Sequence, residues 1–419
     1  VKNTYAGRRP RQTIVEYLDE LGETKIDFTF QRSVDLNSLL YKKLPIITVC
    51  GTNGKGSTTA FLENILIESG YRVGSCTSPH LEHVRERIRI QGEPVSEMLF
   101  ETYGQSCRKK IESAKIQPTY FEFLTFLALD MFEQEKIDIA IFEAGLGGRL
   151  DSTNAIPRIG AILTSISMDH QSYLGDTLLK IVKEKLPILE NAPFSIVSQQ
   201  EPEVAEFIES TLKKTHLTEG KEFQHSGSSN MFLYEHGAFR LGPIQLGLVA
   251  DHQSSNAACA TAMAIYLFNQ GWNINEDNIV KGLIRTRNPG RIEKWTSPEG
   301  REVWLDVAHN VDSMSKLVQY LYLRDVVEFH TIFGCSTDKP WAEMIESLQA
   351  ITQTFHWVTT PTARSWAPSE LKLEDPIQCL KKLTEQEHPK ILVTGSFYHV
   401  GAIRKELPKL GYSVANATI

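Results

Sequence analysis

Two rhythms of hydrophobic positions alternate along the chain: short apolar, β-branched runs, and longer stretches in which apolar residues recur at helical spacing. Runs at 45–50, 71–76, 137–142 and 161–166 predict buried strands. Helical spacing predicts helices at 13–21, 36–41, 98–113, 121–132 and 177–189. Another follows residue 59, where Phe61, Leu62, Ile65 and Leu66 recur until Gly70 offers a stop. Between 77 and 97 the chain is polar and charge-rich, and reads as an exposed loop.

From 194 to 246 short β-like runs and the turn signal Ser226-Gly227-Ser228-Ser229-Asn230 suggest a β-rich insertion or sheet edge. Helices are expected at 251–268 and 276–285, after which Asn288-Pro289-Gly290-Arg291 breaks the pattern. The alternation then restarts, with strands at 303–306, 329–333, 355–360 and 391–394 and helices at 312–322, 341–348, up to Leu383 and from Val400. Strands alternating with helices predict an α/β protein with a mainly parallel sheet in the larger domain, 1–294, and a smaller Rossmann-like α/β domain, 295–419.

The first strand leads into Gly51-Thr52-Asn53-Gly54-Lys55-Gly56-Ser57-Thr58, and a helix follows. Backbone N–H groups of such a loop converge on an anion at a helix N-terminus, Lys55 supplies a point charge, and Ser57 or Thr58 a hydroxyl within reach of a metal. ATP or GTP is the expected guest. The common G-x-x-x-x-G-K-[ST] loop would need glycine at 49 and a hydroxyl at 56, where this chain has Val49 and Gly56. Further strands deliver Glu143 and Asp169-His170 to the same sheet edge, and the next helix carries Lys183, Glu184 and Lys185, so one crevice collects the polar groups.

Composition narrows the class. With 41% hydrophobic and 23% charged residues, the 419-residue chain is ordinary for a globular protein. A formal net charge of −7 without a basic patch argues against nucleic-acid binding. Six scattered cysteines with no C-x-x-C pair indicate neither a zinc site nor a disulfide framework and suit a reducing cytoplasm. No run approaches the ~18 apolar residues of a membrane span, so no membrane association is expected.

The variant phosphate loop resembles that of the Mur ligase superfamily, and within it the folylpolyglutamate synthase and dihydrofolate synthase family. The resemblance extends through Thr77-Ser78-Pro79-His80-Leu81, residues 143–151, Asp169-His170, Glu184-Lys185, Pro289-Gly290-Arg291, residues 306–310 and Gly395-Ser396. It implies a P-loop-containing, Mur-ligase-like ATP-binding domain followed by a glutamate-ligase domain. Position by position, it implies nucleotide contacts from residues 51–58 and from Asn256, Arg291 and Asp306. Two magnesium ions would be held by Ser78, Glu143 and His170, with Lys185 carried as its carbamate. Catalytic residues would be Lys55, Lys185 and His309, and substrate contacts would come from Arg87, Phe121, Glu122, His309 and Ser396.

Without the resemblance, His170 reads equally as a helix-start or core histidine, Lys185 as a solvated helix charge, Asn256 as a helix cap, Asp306 as a cap of the following helix, and Arg87 as half of a surface ion pair. Pro187 departs from the family pattern near the interior of the helix that would aim Lys185; Asn288, Val307 and Val311 depart elsewhere.

The implied function is ATP-dependent ligation of L-glutamate to dihydropteroate, to (tetrahydro)folate or to both, through an acyl phosphate, by a monomer. Ser78-Pro79-His80-Leu81 is more similar to the bifunctional bacterial enzymes. The alternatives are a Mur-type ligase for another carboxylate and a non-catalytic nucleotide-binding relative.

Overall fold

The computed structural model describes all residues except 1–11, 24, 26, 41–43, 363–364, 370, 386–389 and 416–419. A first sheet contains β1 (Ile46–Cys50), β2 (Val73–Cys76), β3 (Ile88–Ile90), β4 (Glu93–Pro94), β5 (Ile139–Glu143), β6 (Gly160–Leu163), β7 (Ser195–Val197) and β8 (His216–Thr218). Its order is β4-β3-β2-β5-β1-β6-β7-β8, parallel from β2 to β8 and antiparallel at the β3 and β4 edge.

Both faces of the central strands are covered, which is why they read as continuous apolar runs rather than alternating ones. Ile47, Val49, Ile139 and Ile141 pack with Phe61, Leu62 and Ile65 of the helix Lys55–Glu68 and with the alanine-rich helix His252–Asn269. On the opposite face, Ile46, Ala140 and Phe142 pack with Phe123, Leu127 and Phe132 of the helix Tyr120–Gln134. The chain runs from β1 to β2 and β5 on one side and then crosses to β6 on the other, and a ligand crevice opens above the carboxyl end of β1 where the direction switches.

Three antiparallel strands, β9 (Phe223–Ser226), β10 (Phe232–His236) and β11 (Phe239–Ile244), form a separate small sheet. The third sheet holds β12 (Glu293–Thr296), β13 (Glu302–Leu305), β14 (Phe329–Phe333), β15 (Thr352–Trp357), β16 (Lys390–Thr394) and β17 (Ser413–Val414), in the order β15-β14-β16-β13-β12-β17. Its four-strand block β15-β14-β16-β13 is parallel, and β12 and β17 extend it antiparallel. Residue 294 therefore lies within a strand of the third sheet.

Several elements differ from the sequence expectation. The second helix runs Phe30–Ser38 rather than 36–41, of which Tyr41 lies outside the described residues. The expected loop 77–97 contains β3 and β4, short edge strands whose charged residues hide the β signal. A helix, Pro202–Thr211, starts on a proline at its first turn, where the missing N–H costs nothing, and had been obscured by the surrounding β-like texture. The single helix expected over 177–189 is two, Leu178–Lys185 and Pro187–Glu190, so Pro187 begins a new turn instead of interrupting an old one.

Candidate active site

Strand β1 ends in the loop 51–54, and Gly54 starts the following helix from a left-handed conformation, φ 88°. An L side chain is strained there, and a Cβ would also run into the Asn256 side-chain oxygen. With no side-chain cap at this helix start, its first N–H groups have no intrahelical acceptor and face the crevice. Lys55 Nζ donates to Thr52 O at 3.0 Å and stands 3.9 Å from Glu143 Oε1. Ser57 and Thr58 are buried, and Thr58 Oγ1 donates to Asn256 Oδ1 at 3.3 Å. Asn256 is not a cap: the helix starts at His252 after Asp251, and the amide lies inside it, donating to Gln253 Oε1 at 3.0 Å.

Glu143 closes β5 with its carboxylate buried. Burial raises its pKa against the opposing pull of Lys55, the Ser78 N–H, Arg291 and Arg87. The Ser78 N–H reaches Oε2 at 3.3 Å. Two cavities meet here, both lined by Gly56, Ser78, Glu143, Arg291 and Phe397. The larger, about 600 Å³, runs from the phosphate loop past Asn256 and His252 to Asp306, His309 and Lys316. The smaller, about 340 Å³, extends along the phosphate-loop helix toward Arg89, Arg287 and Arg404.

Arg291 packs its guanidinium 5.4 Å from the Phe397 ring centre. Burial lowers its pKa, with Asp306 and Glu143 opposing. Asp306 accepts backbone N–H bonds from Ile292 at 2.9 Å and Ala308 at 2.8 Å, holding the linker against the third sheet. It does not cap the next helix; Asn310 does, accepting from Ser313 N at 2.9 Å.

Lys185 is buried, not solvated, and donates to Gly51 O at 2.8 Å. Burial, reinforced by Lys55, lowers its pKa to about 8. Gly148 allows the chain to lie against the Lys185 backbone, since a Cβ there would fall within 2.9 Å of Lys185 Cα. His170 starts the short helix Gln171–Leu174 from a left-handed backbone, φ 51°, with no side-chain cap bond. Burial lowers its pKa to about 4, against Asp169, so the ring is neutral near pH 7 and can offer a lone pair. The neighbouring Asp169 carboxylate is held ionised: burial pushes its pKa up, but His309, Lys339 and His170 more than compensate.

His309 joins this cluster, its Nδ1 2.9 Å from Val307 O and its Nε2 3.6 Å from Asp169 Oδ2. Ser396 caps the helix Phe397–Glu406 with a 3.3 Å bond from Tyr398 N. Arg87 lies apart from the phosphate loop: buried, ion-paired with Glu23, donating to His80 Nδ1 at 3.0 Å and stacked 5.2 Å from the Tyr120 ring centre. Phe121 lies close over Gly145. The Glu122 carboxylate is engaged by Thr119 N at 2.7 Å, Arg32 Nε at 2.6 Å and Ser33 Oγ at 3.2 Å.

Sequence reasoning missed Asn310, Asp312, Lys316 and Lys339. Asn53 Nδ2 donates to Asp312 Oδ2 at 2.7 Å and to Asn310 Oδ1 at 3.2 Å, tying the phosphate loop to the third sheet's domain. Adjacency to the His309 motif was the available signal for Asn310. None existed for Lys339.

Two groups suit a hard divalent cation: Glu143 offers carboxylate oxygens to the cavities while making only one hydrogen bond among the described residues, and Ser78 lines both cavities. His170 lines neither, and among the described residues no three His, Cys, Asp or Glu side chains are grouped to hold a metal. A phosphate loop, a buried acidic strand end and a linker arginine between two α/β domains define the class: an ATP-dependent ligase of the Mur type. Residues 49–264 match the Mur ligase middle domain. The dihydrofolate synthase/folylpolyglutamate synthase of Bacillus subtilis is 31% identical over 87% of this chain and 91% of that protein. The solved structure of E. coli FolC in complex with DHPP and ADP has TM-score 0.85 at 28% identity, covering 96% of this chain and 100% of that one. A bifunctional folylpolyglutamate synthase/dihydrofolate synthase with Mn, AMPPNP and L-glutamate bound has TM-score 0.81 at 26% identity, covering 95% and 98%. The chain belongs to the folylpolyglutamate synthase/dihydrofolate synthase family. Among the described residues no helix is long and apolar enough to cross a membrane.

Proposed function

We propose that this ligase joins L-glutamate to dihydropteroate, to (tetrahydro)folate or to both. The carrying observation is the meeting of two cavities at Glu143 and Arg291, which lets a nucleotide in one present its terminal phosphate to an acid in the other. The acid's carboxylate oxygen attacks the γ-phosphorus, ADP leaves, and the resulting acyl phosphate is attacked by the glutamate amine, which expels phosphate and gives up a proton.

In this reading the phosphate loop, residues 51–58, cradles the phosphates and Lys55 draws off their charge. Asn256 contacts adenine, Asp306 the ribose, and Arg291 a phosphate. The family resemblance, and not the lining of either cavity, assigns the pterin to Phe121 and Glu122 and the glutamate to Arg87, His309 and Ser396; of these only His309 lines one of the two cavities, the larger. Ser78, Glu143 and His170 would hold two magnesium ions. When bound, these neutralise charge on the phosphates and on the acyl oxygen. The lowered pKa of Lys185 supports carbamylation, which requires a neutral amine.

We place the domain division within 286–292, ahead of β12. All these groups come from one chain, which favours a monomer, and the six free, buried cysteines favour a cytoplasmic location.

The test is glutamate-dependent ADP release with dihydropteroate, tetrahydrofolate or neither. Stimulation by one or both acids is expected. Release stimulated by neither would point to another Mur-type acid, and nucleotide binding without turnover to a non-catalytic relative.

A further inference from the structure

One buried carboxylate of the first domain receives several groups from the second. Lys339, in the loop after β14, pairs its ammonium with Asp169, and the two side chains are only 8% and 5% exposed. Asn310 Nδ2 donates to Asp169 Oδ2 at 3.0 Å and to Asn53 Oδ1 of the phosphate loop at 3.0 Å. Asp169 Oδ1, the oxygen facing Lys339, also accepts the backbone N–H of His170 at 2.8 Å. The cross-domain contact thus leads through covalently adjacent atoms to the left-handed His170 backbone, and through one amide to the loop that holds the phosphates.

Burying a lone carboxylate or a lone ammonium is costly, whereas a well-bonded pair roughly offsets its own desolvation. Such a pair adds little net stability but disfavours intermediate separations of the domains, where one charge would be desolvated before meeting the other. Sub-ångström alignment is what phosphoryl and acyl transfer demand of their scaffold.

We propose that Asp169 and Lys339 are a positioning pair that couples docking of the C-terminal domain to the alignment of His170 and the phosphate loop, neither residue touching substrate. The proposal rests on the ligase reading for its kinetic consequence only. Lys339→Met is the main probe because it lies on the domain opposite the proposed metal ligands; Asp169→Asn and the double variant complete a cycle.

The expected result is a roughly 30- to 100-fold loss of kcat in glutamate-dependent ADP release for Lys339→Met. Affinity for a non-hydrolysable ATP analogue should stay within about tenfold, since the phosphate loop and Asn256 lie on the other domain and only the ribose side of the cavity is shared. The melting temperature should fall in Lys339→Met, where Asp169 is left buried without its partner, and recover in the double variant. Lys339→Arg should recover part of the rate, and the double variant should be no slower than the slower single one. Hydrogen exchange at 50–54 and 167–174 should accelerate in Lys339→Met.

Native kcat in Lys339→Met, multiplicative losses in the double variant, or loss of analogue binding well beyond tenfold would each overturn the proposal. If the native protein showed no glutamate-dependent release, the ligase reading would fall and the exchange measurement alone would decide: unchanged exchange at 50–54 and 167–174 refutes the pair.

Discussion

Gly56 sits where the common phosphate loop carries a hydroxyl residue, and Gly56→Ala separates its folding role from its functional one. The residue is in the helix Lys55–Glu68 with negative φ, so no left-handed conformation is at stake. A Cβ there would lie 3.6 Å from Glu143 Oε2 and 3.7 Å from Asn288 Nδ2, both ordinary van der Waals separations. Removing a helical glycine should therefore stabilise the fold by about 0.5–1 kcal/mol, less at this first turn than in a helix interior. That corresponds to a rise of roughly 2 °C in Tm for a domain of this size. The same methyl, however, stands where the two cavities meet, in the path between nucleotide and acid. Scanning calorimetry should show the rise while kcat falls about tenfold or more, as expected when reacting groups are held slightly apart. A fall in Tm would mean that the contact geometry is wrong. Unchanged kcat would mean that transfer does not occur at this junction.

Lys55→Ala should abolish turnover yet leave the melting temperature near native, because its ammonium lies at the larger cavity and not in the core; normal turnover with unchanged ATP affinity would contradict this. Glu143→Gln should lower kcat at saturating Mg²⁺ more than His170→Ala does, since in the proposed reading the first would remove the anionic metal ligand and the second a neutral one, and the reverse order would count against the role proposed for Glu143. Lys185→Ala should lose most turnover, with partial rescue by acetate, and ¹³C-bicarbonate labelling of active, metal-loaded protein should detect a carbamate. Because the unmodified Lys185 has a folded pKa of about 8, below the ordinary lysine value of 10.5, its burial penalty is fully present below pH 8 and fades as pH rises toward 10.5. In metal- and bicarbonate-free protein, Lys185→Met should accordingly shift melting upward more at pH 7 than at pH 10; a gain that grows with pH would reverse the assignment.

The parts of the fold that were legible are those dictated by local chemistry. The phosphate loop shows itself because its glycines, lysine and hydroxyls lie in one stretch, and the helices Glu276–Arg285 and Trp341–Leu348 because a periodic face ends at clear breakers. Strand β12 escaped because Glu293-Lys294-Trp295-Thr296 has only one strongly apolar member, and its identity as a strand comes from pairing on both sides with β13 and β17. Lys185 read as a solvated charge because its neighbours on the helix are charged; only the fold shows that it points inward to Gly51. Lys339 and Asp169 are 170 residues apart, a relation that no periodicity or local motif encodes.

The third sheet is built wholly from residues after the linker, and the chain passes from one domain to the other a single time. During synthesis the phosphate loop and Glu143 are therefore made long before Asp306, His309 and Ser396 leave the ribosome. The nascent first domain thus carries the phosphate loop before the ribose side of the nucleotide cavity, and two of the groups that would receive the amino acid, exist. Strand β12 of the third sheet emerges well ahead of β17, the partner along one of its edges, leaving that edge open until translation is almost complete. A ribosome stalled beyond β12 should consequently display a phosphate-loop domain with no ligase activity, and an exposed strand edge as its point of capture by chaperones.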